Sequence, residues 1–62
     1  MEEYRAKFLS VYTNIPLNVR DDVVLVLDDR PISWNVAYLE VVTHGPQAEK
    51  ILTDLVELEI IK

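Results

Sequence analysis

Apolar side chains near the start of the chain recur at helical spacing. Tyr4, Phe8, Val11, Tyr12 and Ile15 fall on one face from Glu2 onward, with Leu9 at its margin. An amphipathic helix from Glu2 to Asn14 is predicted. Glu2 and Glu3 lie in its first turn, where the positive end of the helix dipole favours carboxylates, and Glu3 can reach Lys7 one turn on. Asn14 and Pro16 end it, because Pro16 lacks an amide and pushes Ile15 toward an extended conformation. Near the other end, Ala48, Ile51, Leu52, Leu55 and Val56 form a second helical stripe, with Glu49, Lys50, Asp54 and Glu57 opposite. Gly45 fits just outside its start and Pro46 at its first position. The apolar tail Leu58 to Ile61 either continues this helix or turns into a short strand.

Between the two helices the pattern changes. Val23 to Leu27 is an unbroken aliphatic run, too short for a typical helix and bounded by Asp pairs, so it reads as a strand covered on both faces. Asp28, Asp29, Arg30 and Pro31 are turn residues, and the chain should reverse there. The stretch from Ile32 to Val42 admits two readings. As a helix it would be capped by Ser33, with Trp34, Ala37, Tyr38, Val41 and Val42 as the apolar face. As a strand it shows strict alternation, with Ile32, Trp34, Val36 and Tyr38 on one side and Ser33, Asn35 and Ala37 on the other. A helix would turn Val36 and Leu39 toward water. The strand is therefore the expectation, and the fold class follows as α+β: one small domain over residues 1–62, helix–β-hairpin–helix in order.

Two strands alone are marginal in water. The sheet is expected to be completed by a third strand, from Leu17 to Arg20 or Leu58 to Ile61, or by pairing with a second copy of the chain. Size points the same way. A core in a chain of 62 residues rarely supplies more than about 3–5 kcal/mol, and with no Cys there is neither a disulfide nor a thiolate metal site to reinforce it. Self-association or a larger partner is the reinforcement left. The composition, 50% hydrophobic, is that of a folded chain, and no apolar run is long enough to cross a bilayer. The acidic start is unlike a signal peptide, so a soluble cytoplasmic protein is expected. A net charge of −5 disfavours nucleic acid and anionic membrane surfaces as partners.

Few residues suggest chemistry. Trp34 can anchor an interface, yet on a face with Ile32, Val36 and Tyr38 it is better read as sealing a small core. Tyr38, Tyr4 and Tyr12 join it as candidate interface residues. His44, the single imidazole, precedes the last helix with Thr43 and Gly45, and these three form a weak anion-site candidate because amides at a helix start can hold an anion. No nucleophile or orienting carboxylate is spaced to make a triad with His44, so no catalytic residue is assigned. The pairs Asp21-Asp22 and Asp28-Asp29 lack the spacing of a cation-binding loop and bracket the first strand about 20 Å apart. They are read as guards against edge-to-edge aggregation, and neither metal nor cofactor is expected. Arg20 could pair with Asp21 or Asp22.

The expectation that unites these features is a small acidic protein-interaction module, a homodimer without catalytic activity. Two alternatives stay open. One is an antitoxin-like or inhibitory partner of a basic protein, since opposite net charge speeds association. The other is a small ligand-binding protein or enzyme with a site near His44 at a dimer seam.

Overall fold

A computed structural model describes all 62 residues. Its first helix, α1 (Glu2–Thr13), buries Phe8 and Tyr12 along the predicted stripe. Glu3 pairs with Lys7 across one turn at 4.0 Å, an exposed contact that contributes little. The helix stops as Pro16 requires, and a 3-10 turn at Leu17–Val19 follows. Arg20 makes no pair with the aspartates beside it. It folds back on the end of α1, where its Nε donates to the Ile15 carbonyl at 3.0 Å and its guanidinium lies 4.4 Å from the Tyr12 ring centroid. A cation against the carbonyl end of a helix is favoured by the dipole, and stacking on the ring adds to it.

Strands β1 (Val23–Leu27) and β2 (Arg30–Ser33) form an antiparallel hairpin. Asp28 and Asp29 are its two-residue loop, with φ of 51° and 65°. Two successive left-handed residues make the turn whose twist matches the strands, a position where Asp is tolerated better than most side chains. In such a turn Leu27 and Arg30 form the hydrogen-bonded pair, so Val26 and Pro31 form the next, non-hydrogen-bonded pair. The amide that Pro31 lacks would thus have pointed off the sheet. A bulge at Val24 turns both Val24 and Leu25 inward. Leu25 and Leu27 are buried, whereas Val23 and Val26 are 56% and 63% exposed, so β1 is covered on one face and not on both.

The second strand is much shorter than the alternation from Ile32 to Tyr38 implies. It ends at Ser33, whose Oγ accepts from the Val36 amide at 3.1 Å and starts helix α2 (Trp34–Val42). The strand reading of Ile32 to Val42 is corrected accordingly. Alternation in this stretch competed with a cap and a helical stripe, and the stripe prevailed because it places Ala37 and Val41 wholly inside the core. Helix–hairpin–helix order holds, with two helices after the hairpin. The sheet has two strands, and neither Leu17–Val19 nor the tail adds a third.

Helix α3 (Ala48–Glu57) buries Ala48, Ile51, Leu52 and Leu55. Pro46 is not its first residue. With Gln47 it occupies the centre of a turn closed by the Ala48 amide on the Gly45 carbonyl at 3.1 Å. Both α2 and α3 end in the same left-handed stop. His44 (φ 54°) and Glu59 (φ 59°) hold the position usually given to glycine. The next amides, of Gly45 and Ile60, return to the carbonyls of Glu40 and Leu55 at 2.8 and 2.9 Å. The tail is therefore neither helix nor strand. It turns back and drives Ile61 into the core cluster that also holds Phe8, Leu52 and Leu55. The accessible surface of 4121 Å² agrees with the ~4100 Å² expected of a compact 7.2 kDa chain.

Candidate interaction surface

The aromatic side chains form the seam between α1 and α2. Tyr12 is buried, and Trp34, Tyr38 and Tyr4 are half-buried against the core. The Tyr12 and Tyr38 rings stack at 4.3 Å, and Phe8 lies 6.1 Å from Trp34, distances at which ring pairs add to burial. Asn35, placed by alternation on a solvated face, closes this seam with hydrogen bonds. Its Oδ1 accepts from the Tyr12 hydroxyl at 2.8 Å and its Nδ2 donates to Asp21 Oδ1 at 2.7 Å. The Asn35 and Trp34 amides also donate to the Arg20 and Asp22 carbonyls, at 3.0 and 3.3 Å. Trp34, Tyr38 and Tyr12 are thus engaged within the chain. Tyr4 sits apart from that stack, with the Lys7 ammonium 5.9 Å from its ring centroid.

Thr43, His44 and Gly45 are committed to ending α2. Their amides donate to the carbonyls of Leu39, Val41 and Glu40, and the Thr43 hydroxyl donates to Leu39 as well. The place an anion would take at the start of α3 is filled from inside the chain, since Glu40 Oε1 accepts from the Gln47 amide at 3.0 Å. Gly45 makes room for it: a Cβ there would collide with the Glu40 carboxylate. His44 borders an open cleft of about 510 Å³ with Glu2, Arg5 and Glu49, but no side-chain hydrogen bond or ion pair joins it to them. Arg5 has its own task there, donating to the Val41 carbonyl at the end of α2.

The surface that the sequence reading passed over lies on the opposite side of α2. Val36 and Leu39, one turn apart, are 43% and 59% exposed. They line a groove of about 750 Å³ together with Pro46 and the buried Leu27, Ile32 and Ile51. Asp28, Arg30, Glu40 and Gln47 supply its polar rim. Hairpin, α2 and α3 meet there. The signal was present in the sequence: the cost of turning Val36 and Leu39 toward water counted against a helix, and the helix forms and bears that cost. Exposed large apolar side chains grouped around a groove make this the candidate interaction surface.

Comparison with family models, curated proteins and solved structures finds no match to this chain.

Proposed function

We propose that this chain is a small protein-interaction module that works as a homodimer, joined through the groove beneath Val36 and Leu39. The observation that carries this reading is the pair of exposed aliphatic side chains over an apolar floor. A second copy suits the groove because the same patch carries a projecting Leu39, a recess to receive it, and rim charges of both signs in Arg30 against Asp28 and Glu40. In a two-fold interface each residue meets its counterpart's neighbour, so knob meets hole and Arg30 meets an acid on both sides. The demand on area is moderate. A standard interface takes about 800 Å² per partner, roughly a fifth of the 4121 Å² this chain exposes.

Sedimentation equilibrium tests it. The wild-type chain is expected to show twice its 7.2 kDa mass at tens of micromolar. Leu39→Glu, which places a carboxylate at the centre of the patch, is expected to give the single-chain mass with an unchanged circular dichroism spectrum. A wild-type chain that stays at 7.2 kDa at hundreds of micromolar sinks the reading.

A further inference from the structure

The hairpin has two outer edges, and they are not alike. On β2 the edge is blocked by Pro31, which has no amide to offer. On β1 it is open: no backbone hydrogen bond outside the hairpin involves any residue from Val23 to Leu27. The peptide groups of Val26 point outward, on the side away from β2, and can pair with another strand. Val23 and Val26 stand exposed along this edge, and no side chain of the protein donates to it or accepts from it. Charge then decides what can bind. Asp21 and Asp22 stand at one end of β1 and Asp28 and Asp29 at the other, with the six steps from Asp22 to Asp28 spanning about 20 Å.

A second copy is a poor occupant of this edge. In the antiparallel pairing that overlaps two β1 strands fully, Asp21 and Asp22 of each would face Asp28 and Asp29 of the other, four like-charge pairs in one short ladder. The same arrangement is complementary to a strand that carries cations at both ends. We infer that the β1 edge binds an extended segment of another protein, with β-branched or apolar residues in its middle and Lys or Arg at both ends about six residues apart. Main-chain hydrogen bonds would hold the segment, as in other cases of strand addition, and the two Asp pairs would fix its register and exclude acidic competitors. This inference rests on the interaction-module reading but not on the dimer: the outward edge of β1 is separate from the overhang of Val36 and Leu39. Asp28, which also stands on the rim of that groove, is tested in the Leu39→Glu chain, where the groove is not paired.

The probe is a nine-residue peptide with two lysines at each end and alternating threonine and valine between them, matched to the nine residues Asp21–Asp29. It is titrated into the ¹⁵N-labelled Leu39→Glu chain and, separately, into the wild-type chain. Expected are saturable shifts and slowed hydrogen exchange at the amides of β1, at least tenfold weaker binding of a peptide with glutamates in place of the lysines, and weakening as salt is raised. Asp22→Asn with Asp28→Asn, which keep the turn chemistry, should weaken binding at least fivefold. Equal binding of the two peptides, protection away from β1, or β1 already paired with itself in the free protein would each overturn the inference. The dimer stands or falls on the sedimentation mass alone, so the two failures are distinguishable.

Discussion

Helices α2 and α3 are built alike and finished differently. Each packs an inner stripe of small and aliphatic residues on the same core and ends in a left-handed stop without glycine at the turning residue. Their outer faces differ. The exposed residues of α3 are Glu49, Lys50 and Glu57, whereas those of α2 are Val36, Leu39 and Val42. A surface helix in a monomer normally carries charge outward, as α3 does. The aliphatic outer face of α2 is the side that the proposed homodimer would cover.

The sharpest way to break this comparison is to shorten one aliphatic side chain on each helix. Ile51 is fully buried in α3, and Ile51→Ala should cost about 2–5 kcal/mol, enough to unfold much of a domain this small. Leu39→Ala, measured by urea unfolding at submicromolar concentration where copies are apart, should cost under about 1 kcal/mol, as surface substitutions do. At high concentration the Leu39→Ala penalty should grow, since the proposed dimer would add to wild-type stability by mass action. Equal penalties for the two variants in dilute solution would show that Leu39 supports the fold of the single chain and is no docking residue.

The same two helices mark where the sequence was legible. α1 and α3 were, because polar residues stand opposite an apolar stripe in both and a single period describes each. The hairpin turn at Asp28-Asp29 was also legible, since few residues accept two left-handed positions in a row. α2 was not. Its outer aliphatic residues fill in the gaps of the helical stripe, and from Ile32 to Tyr38 the result reads equally as alternation. Only the Ser33 hydroxyl, a local cap, distinguishes the helix, and its hydrogen bond is invisible until the chain has turned. The role of Asn35 was hidden for a different reason: its partners Tyr12 and Asp21 are 23 and 14 residues away. The groove went unseen because its floor and walls come from β1, β2, α2 and α3 together.

Caps offer a gentler test at the opposite ends of the two helices. Ser33 satisfies the Val36 amide at the start of α2, while the residue in the same position before α3, Gln47, makes no cap hydrogen bond with its own side chain. Ser33→Ala should therefore cost about 1 kcal/mol in thermal or urea unfolding, and Gln47→Ala close to nothing, because Gln47 contributes its backbone amide and not its side chain. A near-neutral Ser33→Ala would mean that packing of Ala37 and Val41, and not the cap, decides where β2 stops.

The smallest expected effects lie at the two left-handed stops. A non-glycine residue in that conformation costs roughly 1–2 kcal/mol, while glycine loses more entropy on folding by roughly 0.5–1 kcal/mol. Glu59→Gly and His44→Gly should each gain a few tenths of a kcal/mol to about 1. They should not gain equally. Glu59 places a carboxylate just past the carbonyl end of α3, where the helix dipole disfavours it by about 0.3–1 kcal/mol, and His44 brings no carboxylate to the end of α2. Glu59→Gly is therefore expected to stabilise more, by differential scanning calorimetry at neutral pH and low salt, and the margin should shrink as salt is raised. If His44→Gly instead destabilises, the imidazole makes a contact in the cleft beside Glu2, Arg5 and Glu49 that favours the folded chain, and the two stops differ in more than charge.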